Sequence, residues 1–208
     1  SRANGIVRME ETERLMAQPT SNMRHDSHST TAQGTWTTKR IAITSLLCAV
    51  SAICTLLLEF PLLPGLEFLK YDPSGIVALI SGFAFGPATA VVVSILPYLV
   101  HFATQSGFYG VIMAVLATIS LAVPATIVYQ RKPTRMGALI AMVVGAICSI
   151  AVCIVGNLIL TPLYMGASFN DVVALIVPAL LPFNLVKVLI NCVVTALIYK
   201  PVTKALSE

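Results

Sequence analysis

The stretch Pro182-Phe183-Asn184-Leu185-Val186-Lys187 places an amide and an ammonium inside an otherwise apolar run near the end of the chain. A lysine at the centre of a membrane helix costs roughly 2.5–3.5 kcal/mol on insertion scales, so an intramembrane cation marks a functional site whose partner must be found. Asn184 and Lys187 are spaced i, i+3 and lie on one helical face, where they can grip a single object. A second amide, Asn157, stands in the preceding apolar segment. Against ligand contact stands a plainer reading, in which the asparagines bond helix to helix and Lys187 snorkels to the headgroups. Catalysis finds less support. There is no HExxH, no intramembrane Glu/His pair and no Ser/His dyad, and Ser81-Gly82 has no histidine placed beside it. No GxxxxGK[ST] loop is present to cradle ATP, so any energy for transport enters through a partner, and the chain is not read as an enzyme.

The elements that carry these residues are membrane helices. Of the 208 residues 57% are hydrophobic and 11% charged, with a mean hydropathy of +0.87, against about 25% charged in soluble domains. The formal charge of +4 comes from basic residues crowded at the ends of apolar segments, which is topology rather than nucleic-acid binding. Five cysteines, odd in number and all within apolar stretches, indicate neither a disulfide framework nor a metal site.

The fold expected is an all-α membrane domain of six transmembrane helices over residues 39–208, preceded by a polar, disordered tail over 1–38. That tail has no apolar core, so it is not a secretory signal, and its His25 and His28 are read as solvated rather than metal-binding. A first helix runs from Ile41 to about Glu59, with Ser45, Ala49 and Ala52 forming a stripe of small side chains on which another helix can seat closely. Ordinary packing within the chain's own bundle explains that stripe equally well. The greasy loop from Phe60 to Lys70 is broken by two prolines and a glycine and can lie over a pocket as a lid.

Asp72 then caps a short second helix ending at Gly82 to Gly86. A third helix spans Pro87 to about Ala103, Gln105-Ser106-Gly107 makes a turn, and a fourth covers about Phe108 to Tyr129. The fifth begins near Met136, carries Gly137, Ala141, Gly145, Ser149 and Cys153 at every fourth position, and runs to Tyr164. A polar loop containing Ser168, Asn170 and Asp171 leads to a sixth helix from roughly Pro178 to Tyr199.

Lys39, Arg40, Arg131, Lys132, Arg135, Lys200 and Lys204 fall on the side of the termini and Lys70 opposite, so both termini are expected in the cytoplasm. At about 1.5 Å per residue, Asn157 lies roughly 30 Å along its helix from Gly137, and Lys187 about 20 Å from Lys200. The amides of two antiparallel helices thus reach one level beneath the loop. The implied pocket faces outward, with aromatic walls from Phe60, Phe68, Tyr164 or Phe183.

Four blocks carry a resemblance: Phe68-Leu69-Lys70-Tyr71-Asp72-Pro73-Ser74, Gly82-Phe83-Ala84-Phe85-Gly86-Pro87, Asn157-Leu158-Ile159-Leu160-Thr161-Pro162-Leu163-Tyr164 and Leu181 to Lys187. In that order the chain resembles the riboflavin-binding S components of energy-coupling factor (ECF) transporters. The resemblance implies a substrate-capture subunit of the bacterial plasma membrane, with riboflavin as its transported ligand and no cofactor. It implies that Asn157, Asn184 and Lys187 hydrogen-bond the flavin, and that Tyr164, Phe183, Leu69 and Asp72 complete the substrate site. The partners it implies are a transmembrane coupling subunit, met through Ser45, Ala49 and Ala52, and two cytoplasmic ATPases. Family members commonly carry an acidic residue where Gly75 stands, and a Glu and a Lys where Ser94 and Pro97 stand; the loss of both charges of a pair leaves the expected fold intact. Rival readings are an S component for another vitamin, or a small intramembrane enzyme or channel.

Overall fold

In the computed structural model, residues 36–103 and 107–208 are described, so most of the polar tail, with His25 and His28, and the turn residues Gln105 and Ser106 lie outside the described residues. The first helix, α1 (Thr38–Leu57), begins where the Thr37 hydroxyl accepts a hydrogen bond from the Arg40 N–H, the usual remedy for an unpaired amide at a helix start. Its buried side carries Thr44, Leu47, Ser51 and Thr55. The expected lid is a loop between two short antiparallel strands, β1 (Phe60–Pro61) and β2 (Lys70–Tyr71), in which Phe60 pairs with Tyr71 and Pro61 with Lys70.

A helical hairpin follows, α2 (Ser74–Phe85) and α3 (Pro87–Leu99), turning at Gly86 with φ of 95° and restarting at Pro87, whose missing N–H costs nothing at a helix start. A 3-10 turn extends α3 over Val100–Ala103. Arg40, read from the sequence as a terminus-side charge, is buried at this corner. Its guanidinium donates to Thr89 Oγ1 at 2.8 and 3.2 Å and to the Phe85 carbonyl at 3.0 Å, and it stacks 4.4 Å from the Trp36 ring.

The long helices α4 (Gly107–Arg131) and α5 (Arg135–Met165) pack side by side through the ladder of small residues. Ser149 Oγ reaches the Ala117 carbonyl at 3.0 Å, and a side chain at Gly145 would run into the Leu121 carbonyl. Gly166, in the left-handed region at φ of 66°, ends α5.

The last helical run starts earlier than the apolar pattern suggests. Ser168 and Asp171 form a capping box, so the expected polar loop is instead the start of α6 (Phe169–Leu175). A π turn over Ile176–Leu180 then joins it to α7 (Leu181–Ser207). Pro178 and Pro182 each remove a backbone donor, and the Leu181 N–H closes instead on the Ile176 carbonyl, five residues back.

Four helical runs among the described residues are long and apolar enough to cross a membrane: α1, α4, α5 and the continuous Phe169–Ser207; α2 and α3 are shorter. Leu46, Val143, Ile147, Ile159, Leu163, Leu189 and Leu197 are all exposed. An exterior this apolar fits lipid rather than water, and the chain is a mostly helical, multi-pass membrane protein.

Candidate functional site

A cavity of about 590 Å³ opens between the β1–β2 loop and the facing parts of α3, α4, α5 and α7, within the size range of small-molecule sites. Asn157, Tyr164, Phe183, Asn184, Lys187, Leu69 and Asp72 all line it. The loop contributes Glu67, Phe68, Leu69 and Lys70 to the lining. Leu69 also packs with Val172, Ala179, Leu180 and Phe183, with Leu62, Leu63 and Leu66 against them, so the loop is seated on α6 and the π turn. Phe60 is not part of the wall; its ring meets Tyr71 edge-on at 5.5 Å and is half exposed.

The two asparagines are both buried. Asn157 donates to the Cys153 carbonyl at 2.8 Å and accepts from Thr161 Oγ1 at 3.1 Å, while Asn184 donates to the Leu180 carbonyl at 2.7 Å. An amide has two donor hydrogens and two acceptor lone pairs, so at least half of each group's capacity is left for a guest. The bonds already made run to each amide's own helix, which fixes the side chains without using them as interhelical links.

Lys187 finds its partner in Asp72, whose Oδ2 lies 3.7 Å from Nζ, with side-chain exposures of 13% and 6%. Asp72 is not the N-cap expected for α2: that position is Pro73, because the helix begins at Ser74, and Asp72 sits just outside it with its Oδ1 accepting from the Ser74 N–H at 2.9 Å. The partner is therefore visible in the sequence as a polar residue at the helix start, though its ion-pairing role is not. Tyr98 is the residue that sequence reading missed. Almost fully buried in the lining, its hydroxyl donates to Asp72 Oδ1 and Oδ2 at 3.3 and 3.4 Å and shares hydrogen bonds with Ser74 and Thr118. A tyrosine in an apolar helix needs a polar partner for its hydroxyl, and that need is the available signal. Tyr109 is a second addition, stacked on Tyr164 with ring centres 5.8 Å apart and planes 23° apart.

Gly75 has a local explanation. A Cβ there would strike the Asn191 side-chain nitrogen and approach Leu121 to 3.4 Å, so the amide of Asn191 fills the space. Asn191 in turn accepts from the Tyr71 hydroxyl at 3.0 Å, tying the end of the loop to α7. Burial first, and then the nearby Asp72 carboxylate, push the Tyr71 pKa up to about 12, so it remains a donor at physiological pH. Gly75→Ala is expected to cost about 1–3 kcal/mol by overpacking. Thermal unfolding of the purified protein checks this: Gly75→Ala should melt several degrees lower, and Asn191→Ala on top of it should recover part of the loss. An unshifted transition would show that Asn191 moves aside freely. The other two departures, Ser94 and Pro97, are also fully buried; Ser94 Oγ has no hydrogen-bond partner among the described residues, and nothing in the structure explains that.

The stripe on α1 lies away from the cavity. Ser45 and Ala49 are exposed and Ala52 is half-buried, whereas the side packed on α2 and α3 is the one carrying Thr44, Leu47, Ser51 and Thr55. Packing within the chain's own bundle therefore does not account for Ser45 and Ala49.

Comparison with known proteins bears on the family and the fold. The riboflavin transporter RibU of Lactococcus lactis subsp. cremoris (strain MG1363) is 32% identical over 157 residues, 71% of this chain and 75% of its own. RibU of Staphylococcus aureus (strain TCH60) is 27% identical over 171 residues, 78% of this chain and 89% of that one. The riboflavin transporter FmnP of Bacillus subtilis (strain 168) is 25% identical over 173 residues, 77% and 90% of the two chains. A solved structure of the S component of a bacterial ECF transporter superposes with a TM-score of 0.70 at 24% identity, covering 82% of this chain and 98% of that chain, which supports the fold. The family described as ECF transporter, substrate-specific component, matches residues 39–199. This helical membrane chain, matched over most of its length, belongs to that family, and it is a component of a transporter rather than an enzyme.

Proposed function

We propose that this chain captures riboflavin and passes it inward as the substrate-binding subunit of an ATP-driven uptake transporter. The observation that carries the reading is the convergence of Asn157, Asn184 and Lys187 on one cavity walled by Phe68, Tyr164 and Phe183. Riboflavin is a flat, largely apolar tricycle with an imide-like hydrogen-bonding edge and a hydroxylated tail. Rings cover the tricycle, and amides with spare donors and acceptors match the edge and tail. The names of the relatives support the choice of vitamin.

In this reading α2 and α3 complete a set of six membrane segments, with both termini in the cytoplasm and the cavity opening outward. The basic residues at the terminal side favour that orientation. The β1–β2 loop closes over the vitamin, and ATP hydrolysis by two cytoplasmic ATPases, acting through a transmembrane coupling subunit, releases it inward. Flavin absorbance in the purified protein, and quenching of riboflavin fluorescence on titration, test the cargo. Protein that arrives colourless and leaves micromolar riboflavin fluorescence unquenched would refute it.

The coupling subunit meets α1 through Ser45, Ala49 and Ala52, where small side chains on an exposed face admit close helix approach. Ala49→Trp should hold the helices apart at a cost of about 1–3 kcal/mol of overpacking, or about 5- to 150-fold in assembly. Vitamin uptake by cells is expected to fall while riboflavin affinity of the isolated chain stays as it was. Equal loss of both would place the stripe inside the binding fold instead.

A further inference from the structure

We infer that Asp72 is a specificity-determining residue: by neutralising Lys187 it sets the cavity for an uncharged flavin and against one bearing a phosphate. The inference rests on the riboflavin reading and concerns which form of the flavin is accepted. Among the described residues the cavity is lined by two cations, Lys70 and Lys187, and three anions, Glu59, Glu67 and Asp72. Both cations are already matched. Lys70 Nζ lies 3.7 Å from Glu59 Oε2 at the loop, and Lys187 Nζ lies 3.7 Å from Asp72 Oδ2 deep in the site. Glu67 has no ion-pair partner among the described residues.

The inner pair differs from the outer in burial. Lys70 and Glu59 are 37% and 24% exposed, so solvent and salt screen them, whereas the Lys187 and Asp72 side chains are 13% and 6% exposed. Asp72 is moreover held in place beside Lys187, with the Ser74 N–H and the Tyr98 hydroxyl both donating to it. A ribityl phosphate carries a charge of about −1.5 to −2 at pH 7. Entering this site it meets no unmatched cation and at least one unmatched carboxylate. Riboflavin, being neutral, meets no such opposition, and the ammonium keeps donor hydrogens for its oxygens.

The expected consequence is that removing the carboxylate charge frees the cation for an anionic guest. Titration of the purified full-length chain with riboflavin and with flavin mononucleotide, each followed by flavin fluorescence, gives the ratio of the two affinities. Wild-type protein should favour riboflavin. In Asp72→Asn the ratio should move toward the mononucleotide by about tenfold or more, the size expected for one unit charge within ~10 Å at an effective dielectric of ~20. Lys187→Gln should move it the other way, and this second variant decides the matter if Asp72→Asn does not fold, as judged by its melting transition. An unchanged ratio in a folded Asp72→Asn would overturn the inference. So would a folded Asp72→Asn that binds neither flavin, because the carboxylate would then be a direct ligand. Wild-type protein that binds no flavin would instead overturn the cargo reading, and this inference with it.

Discussion

Lys187→Ala is expected to lose most riboflavin binding and to unfold at a lower temperature, two effects with separate causes. The first is the loss of a charged donor in the cavity, worth about 1.5–3 kcal/mol for a hydrogen bond to a charged group, or about 12- to 150-fold in Kd. The second arises because Asp72, with a side chain 6% exposed, would be left buried without its counter-ion. Breaking a buried pair from one side costs about 3–5 kcal/mol, whereas removing both charges is far milder. The lower end of that range applies here, since the pair faces a cavity and Tyr98 and Ser74 still donate to Asp72. Adding Asp72→Asn to Lys187→Ala should therefore restore much of the melting temperature without restoring the affinity. Fluorescence titration and thermal unfolding of the two variants side by side separate these effects. If the double variant melts no higher than Lys187→Ala, the pair is not what stabilises the site.

Asn184→Ala should weaken riboflavin binding by about 1–3 kcal/mol, or about 5- to 150-fold, with Asn157→Ala behaving similarly. The structural cost is smaller than for the lysine. Each amide's bond to its own helix goes to a carbonyl already serving the helical ladder, so truncation orphans no backbone group. Asn157→Ala has one extra consequence, because Thr161 Oγ1 loses its acceptor. Affinity should thus fall further than stability in both variants. Removing both amides should cost less than the sum of the single losses if they hold the same edge of the vitamin, since groups sharing one partner are not additive. Riboflavin affinities indistinguishable from wild type in both single variants would return the asparagines to a purely structural role.

Much of the site was legible because its chemistry is conspicuous in its surroundings. Asn157, Asn184 and Lys187 are polar groups in apolar helices, and depth arithmetic along two antiparallel helices was enough to set them at one level. The small-residue ladder of α5 was legible for a similar reason: its period of four leaves one face without bulk. Asp72 is legible as a polar group at the start of α2, one residue outside the cap, but not as the counter-ion of Lys187, because 115 positions of chain separate them and spacing carries no information at that range. Tyr98 and Tyr109 look in sequence like any aromatic of a membrane helix. The start of α6 was missed for a different reason. Ser168-Phe169-Asn170-Asp171 reads as polar loop by composition, yet Ser and Asp three apart are the two halves of a capping box. Arg40 shows the limit of counting charges toward topology, since a guanidinium closed over by Trp36, Thr89 and the Phe85 carbonyl is also a structural cross-tie.

The wide turn at Ile176–Leu180 has a geometric consequence for the residues after it. An α-helix advances about 100° per residue, and a single π turn amounts to one inserted residue. Relative to α6, the faces of α7 are thus swung by more than a quarter of a revolution. The azimuth of Asn184 and Lys187 is set by this one surplus position, so a regular heptad or helical wheel drawn straight through 169–207 would aim them in the wrong direction.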